Sequence, residues 1–172
     1  RAVRPDVLSV ATRTKGRCEI IQFAIRNGIR GIHIEKPISY SIKECRQVLT
    51  EIQANEVAIS YGTTRRYMEI YRKASCFAWS GKIGEVKHIS IRHGRTNLMW
   101  NHPHSLDLLL FFSRSEDFEY VQANCEFANE FQQGYLVDDD PIIDFAFVKF
   151  KNGITGSIIP ANGMNATIHC SR

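Results

Sequence analysis

The chain of 172 residues contains no Gly-x-Gly-x-x-Gly. A phosphate cradle of that kind feeds a helix N-terminus from the first strand of a sheet, and the nearest forms here are the spaced pairs Gly28 with Gly31 and Gly81 with Gly84. Long apolar runs are also missing. Leu108 to Phe112 is far too short to span a bilayer, and the charged first residues do not form a signal-peptide pattern. We therefore expect no membrane partner and a cytoplasmic location. The five cysteines (Cys18, Cys45, Cys76, Cys125, Cys170) are odd in number, widely spaced and never arranged as Cys-x-x-Cys, which argues against a disulfide framework or a structural zinc site. Cys18 and Cys45 fall on apolar helix faces and read as small buried hydrophobes. There is no tract of one charge: the net +4 comes from Lys and Arg scattered among acidic residues, so no nucleic-acid partner is expected.

What is present reads as α/β. Asp6 to Thr12 is a short, β-branched apolar run after Pro5, patterned as a strand buried on both faces of a parallel sheet. A helix follows, with Cys18, Ile21 and Phe23 to Ile25 at roughly helical spacing and Asn27-Gly28 as its stop. Gly31 to Ile34 is a second buried strand. Ser41 to Glu44 forms a capping box, and Ile42, Cys45, Val48, Leu49 and Ile52 make one apolar stripe, predicting a helix over 41–54. Val57 to Tyr61 is a third strand closed by Gly62. Strand, helix, strand, helix, strand with short connections implies right-handed crossovers and a doubly wound parallel sheet.

The character changes after Gly62. A helix carrying Tyr67, Met68, Tyr71 and Ala74 leads to a turn-rich connector over Ser80 to Glu85. Val86 to Arg92 alternates like a half-buried strand, Ser105 to Phe112 is an apolar helix, and Val121 to Phe127, Ile143 to Phe150 and Ile154 to Ile158 are further strands. Phe150 to Ile154 is a hairpin signal whose Asn152-Gly153 suits a type I′ turn. The expected fold is therefore part of a Rossmann-like parallel sheet over residues 1–62, then part of an α+β domain with a mainly antiparallel sheet over 63–172.

Ligands of a doubly wound sheet bind at the carboxyl ends of its strands. Thr12, Glu35-Lys36-Pro37 and Tyr61-Gly62 fall along one such rim. Lys36 can donate hydrogen bonds to substrate oxygen and ribose there, and Pro37 restricts its backbone to extended conformations. The competing reading is a pair of ordinary exposed charges at a strand end. A second constellation runs Trp100-Asn101-His102-Pro103-His104-Ser105-Leu106-Asp107. His104 and Asp107 share a face at a helix start, and an imidazole can take a proton from a substrate hydroxyl near neutral pH. Asp107 can orient that ring or cap the helix. Proton transfer ranks first, capping second and metal binding by His102 and His104 last, and no metal site is expected. Arg65-Arg66 can contact a carboxylate, phosphate or ribose hydroxyl, or serve as surface charges or internal salt-bridge partners. Asp138 to Asp140 lacks the alternation and glycine of a calcium loop and reads as solvated loop.

These residues, in this order, resemble the glucose-fructose oxidoreductase and inositol dehydrogenase family of NAD(P)-dependent enzymes. The likeness runs from Val7 to Thr12 through Glu35-Lys36-Pro37, Tyr61-Gly62 with Arg65-Arg66-Tyr67, and Gly81 to Glu85, to His104-Ser105-Leu106-Asp107. The resemblance implies a two-domain enzyme whose glycine-rich first strand would precede Arg1 and whose remaining strands would follow Arg172, so that the isolated piece is expected to be inactive. It implies NAD or NADP as cofactor, with Thr12, Glu35, Lys36, Pro37 and Arg65 on the cofactor side and Lys36 and His104 as catalytic residues. It also implies a sugar or polyol substrate near Asn101, His102 and Asp107. Two departures stand out. Trp100 occupies the place, four before the histidine, where many members carry aspartate, leaving Asn101 or His102 to compensate. Arg13 to Arg17 has neither residue of the family's Pro-x-x-x-His, leaving Arg17 to face the cofactor or the surface.

The sequence thus supports an oxidoreductase acting on a secondary alcohol of a sugar, polyol or related hydroxy compound. The alternative is a non-catalytic binding or oligomerisation module, with a homo-oligomer formed through an open sheet face.

Overall fold

The structure is a computed structural model that describes residues 5–127 and 140–172. Asp138 and Asp139 lie outside the described residues. The chain divides into two compact units, one containing residues 5–62 and the other residues 63–127 and 141–172.

The first unit is a three-stranded parallel sheet of β1 (Val7–Val10), β2 (Gly31–Ile34) and β3 (Ala58–Tyr61), in that order, linked by α1 (Arg17–Arg26) and α2 (Ile42–Ala54). Because each right-handed crossover steps the same way across the sheet, both helices fall on one face. Leu8, Val10, Ile32, Ile34 and Tyr61 pack there with Cys18, Ile21, Ala24 and Ile25 of α1 and Val48 and Ile52 of α2. The other face carries Val7, Ser9, Ala58 and Ser60, all exposed. β1 is therefore buried on one face, not both, since a single helix layer covers the sheet. The same geometry corrects the helix stripes: Phe23, Ile42 and Leu49 are exposed, and α2 buries only Val48 and Ile52.

The helix caps follow the sequence with one change. Asn27 and left-handed Gly28 close α1. Ser41 caps α2 by accepting from the Glu44 N–H at 3.3 Å. The reciprocal half of the box is relayed through Ser39, whose Oγ donates to the Glu44 carboxylate at 2.5 Å and accepts from the Ser41 N–H at 2.9 Å.

The second unit opens with a 3-10 turn, Thr64–Tyr67, before α3 (Glu69–Ala78). Tyr67 and Met68 precede that helix and are exposed. Six strands follow: β4 (Val86–His93), β5 (Thr96–Asn97), β6 (Phe118–Glu126), β7 (Ile142–Phe150), β8 (Thr155–Pro160) and β9 (Asn165–Cys170), with α4 (Pro103–Ser113) inserted after β5. The path β5-β7-β8-β4-β9, with β6 on β7, is antiparallel except for β4 beside β8. One face packs Ile89, Ile91, Val148 and Ile158 under Leu108, Leu109 and Phe112 of α4. Gly156 marks the closest approach, since a Cβ there would sit 2.9 Å from Leu109 and from Val148.

The register gathers Tyr120, Phe145, Phe147, Thr155, Ser157, His88 and His169 on the opposite face. The β7–β8 hairpin turns differently from the type I′ expectation. Only Gly153 has positive φ (+86°), the Gly153 N–H donates to the Phe150 carbonyl, and the Asn152 side chain donates to the Ser113 carbonyl at 2.9 Å. Asn152 is fixed by that contact, so a three-residue loop with a left-handed glycine replaces the two-residue turn.

Candidate functional site

In the first unit the ends of the three strands form one rim. The parallel ladder extends past β2, with the Glu35 N–H donating to the Val10 carbonyl at 3.0 Å and the Gly62 N–H to the Ile34 carbonyl at 2.9 Å. This brings Thr12, Glu35, Lys36, Pro37 and Gly62 together. Lys36 is 8% exposed, so it is not an ordinary surface charge, and its Nζ lies 3.8 Å from the Glu35 carboxylate. Gly62 is required to be small: a Cβ there would meet Glu35 Oε2 at 2.9 Å and the Lys36 backbone nitrogen at 3.3 Å. The Lys36–Pro37 peptide is cis. Thr12 is exposed at the rim.

Arg17 organises this rim. It is wholly buried, which corrects both the cofactor-facing and the surface expectation. Its Nη1 donates to the Glu35 carbonyl at 2.7 Å and to the Pro37 carbonyl, and its Nη2 to the Thr12 carbonyl. Burial lowers its pKa from the ordinary arginine value, while the nearby Glu35 carboxylate opposes that shift. Arg17 was legible in one respect: it continues the buried stripe of Ile21, Ala24 and Ile25 on α1. Below the same loop, the Cys18 and Cys45 thiols point at the Ile38 and Ser39 carbonyls, and burial pushes Cys18 up to about 11. These thiols are packing groups.

In the second unit the start of α4 holds the other candidates. The turn leading into it is closed by hydrogen bonds from the Asn101 and His102 N–H groups to the Asn97 and Leu98 carbonyls, each at 3.2 Å. Asn101 Nδ2 donates to Thr96 Oγ1 at 2.7 Å. His102 is 1% exposed, with Nδ1 3.2 Å from Ser105 Oγ and its ring 4.8 Å from that of His93. Burial, aided by His93, lowers its pKa to about 4. A substrate-facing His102 is therefore corrected to a neutral core histidine, buried because it immediately precedes the α4 turn. His104 is partly buried on the first turn of α4. Asp107 does not cap the helix: its carboxylate takes Arg66 bidentately, Nε to Oδ2 at 3.0 Å and Nη2 to Oδ1 at 2.5 Å. Arg66, whose pKa that hydrogen bond raises, is the internal salt-bridge partner of the arginine pair and stacks over Phe111. A partnership across 41 residues leaves no local trace in sequence. Arg65 is half-buried in the 3-10 turn. Among the described residues no cluster of three or more His, Cys, Asp or Glu side chains can hold a metal, and no helix is long and apolar enough to cross a membrane.

Comparison with known proteins places this geometry. Residues 1–63 match the model of an oxidoreductase family with an NAD-binding Rossmann fold, GFO_IDH_MocA. No curated protein matches the chain by sequence. Among solved structures, a dehydrogenase from Chromobacterium violaceum superposes with TM-score 0.79 at 18% identity, over 98% of this chain and 52% of that one. An NAD-binding protein from Listeria innocua gives 0.75 at 22% identity, covering 96% and 53%. An inositol dehydrogenase homologue from Azotobacter vinelandii, solved with NADH and myo-inositol, gives 0.76 at 16% identity, covering 97% and 49%. At these identities the likeness establishes the shared fold, and the chain spans about half the length of these structures.

Proposed function

We propose that the chain is part of an NAD(P)-dependent dehydrogenase of the glucose-fructose oxidoreductase and inositol dehydrogenase family, acting on a secondary alcohol of a sugar or polyol. The match of residues 1–63 to the model of an oxidoreductase family with an NAD-binding Rossmann fold supports this. The observation that carries this reading is Lys36, a buried cation at the carboxyl rim of a parallel sheet, where a doubly wound fold binds its ligands. The residues present fit a nicotinamide cofactor: Thr12, Glu35, Lys36 and Pro37 lie at that rim and would hold it, and the family resemblance adds Arg65 to the cofactor-binding set. When bound, the nicotinamide supplies the hydride acceptor or donor. Lys36 holds the substrate oxygen through its ammonium donors. The His104 imidazole takes the hydroxyl proton in oxidation and returns it in reduction. Asn101 stands near the substrate, and Asp107 acts through Arg66 to fix the helix that carries His104. The location is cytoplasmic, and the isolated piece is inactive.

The test is turnover in the protein extended to the family's full length, followed by absorbance of reduced nicotinamide across a panel of polyols. Lys36→Ala and His104→Ala should each lower kcat about 100-fold or more. Near-normal turnover in either variant removes that residue from the mechanism.

A second reading, an oligomerisation module, is favoured by the face of the six-stranded sheet opposite α4, where among the described residues Tyr120 and Phe145 are exposed. In either reading this face pairs two copies of the chain. Sedimentation of the protein and of Phe145→Lys separates the outcomes: a monomer in both rejects pairing through this face. Calorimetry with NADH and NADPH addresses the catalytic half, since saturable binding counts against a purely structural role.

A further inference from the structure

We propose that Arg17 is a positioning residue for Lys36, acting through the backbone on either side of it; this rests on the reading of Lys36 as the residue that holds substrate oxygen. A parallel strand that ends leaves carbonyls without ladder partners, and buried carbonyls must be satisfied by other donors. At this rim those carbonyls belong to Thr12, just past β1, and to Glu35 and Pro37, which flank Lys36.

One guanidinium serves all three, because its planar fork presents several donors in fixed directions. An ammonium offers three donors around one point and cannot span carbonyls from two strands in the same way. The clamp therefore fixes the residues before and after Lys36 to each other and to the end of β1. Arg17 is 0% exposed and reaches ligands only indirectly, so its influence must pass through the backbone. Its cost is that of a buried cation, offset by three carbonyls and the nearby Glu35 carboxylate. A structural contact alone would not need that cation here; Ile21, Ala24 and Ile25 on the same stripe of α1 are apolar.

Four full-length proteins decide the matter: wild type, Arg17→Met, Lys36→Ala and the double variant, each assayed at a temperature where circular dichroism shows it folded. Misplacement of a reacting group by about 1 Å can cost on the order of 100-fold. Arg17→Met should therefore lower kcat at least about tenfold, with the KM for cofactor changed less. In the Lys36→Ala background Arg17→Met should lower kcat no further, because the group it positions is already gone. A merely structural role would produce the same factor in both backgrounds, and that result overturns the inference. Unchanged kcat in folded Arg17→Met while Lys36→Ala is impaired also overturns it and leaves the functional reading standing. Unchanged kcat in Lys36→Ala overturns the functional reading and the inference together. If Arg17→Met does not fold, Arg17→Lys takes its place in the same cycle, with slowed turnover only in the presence of Lys36 as the supporting result.

Discussion

Acidification should loosen the start of α4 through a single imidazole. His102 is 1% exposed, beside the His93 ring, with no hydrogen-bond partner for its Nε2 among the described residues. Protonation would place a second N–H and a full charge in that site. Its pKa is lowered to about 4, by burial first and His93 second, whereas the unfolded chain titrates near the ordinary value of about 6.5. A depressed histidine binds more protons when unfolded, so its contribution to stability is complete above pH about 6.5 and disappears as pH falls to about 4. At about 1.4 kcal/mol per unit, the full effect is about 3 kcal/mol, of which about 2 is lost between pH 7 and pH 5. Urea unfolding of wild type and His102→Leu at these two pH values isolates it, because His88, also lowered by burial, contributes equally to both. Wild type should lose about 2 kcal/mol more than the variant. Equal losses, or a His102 ring signal in NMR that titrates near 6.5 in the native protein, would refute the reasoning.

The Arg66–Asp107 pair predicts an asymmetric cycle. Asp107→Asn leaves a part-buried guanidinium without its carboxylate and should cost about 1–2 kcal/mol, discounted because the Arg66 side chain is 33% exposed; Arg66→Met with Asp107→Leu should recover most of it, and additive losses in thermal unfolding would reject the coupling. Gly62→Ala should destabilise by about 1–3 kcal/mol through its clash with Glu35 and the Lys36 backbone, and an unchanged Tm would show that the Glu35 side chain yields freely. Cys18, with its thiol raised to about 11, should resist iodoacetamide at neutral pH while exposed Cys76 is alkylated, and mass spectrometry that finds Cys18 modified first contradicts the burial argument.

Sequence pattern succeeded where a local rule governs and failed where a distant partner decides. Ser41 and Glu44, and Asn27 before Gly28, announced their helix ends because capping chemistry acts within a turn. The apolar runs located β1, β2 and β3, yet could not say how many faces are covered: Val7 and Val10 look alike in sequence, and only the placement of both helices on one side distinguishes them. β9 was missed because Asn165 to Cys170 is mixed in character and takes its place by pairing with β4. The same division holds for the candidate residues. Lys36 and Glu35 could be placed at a strand end from the run before them. His102 and His104 are two residues apart and equivalent by composition, and only the turn into α4 buries the first.

The rim also shows why its charges should be considered together. The carboxyl ends of parallel strands present carbonyl oxygens, a surface that repels anions and competes poorly for oxygen ligands. Arg17 draws three of those carbonyls onto one guanidinium. That takes up part of the negative edge beside Lys36, whose ammonium lies 3.8 Å from the Glu35 carboxylate. The carboxylate is about one-third exposed and the lysine about one-tenth, so water screens the first more than the second. Carbonyls taken up by a buried donor repel an anionic or oxygen-rich group less than bare carbonyls do. At this rim that donor is the buried Arg17, not the lysine that the sequence pattern brings to notice.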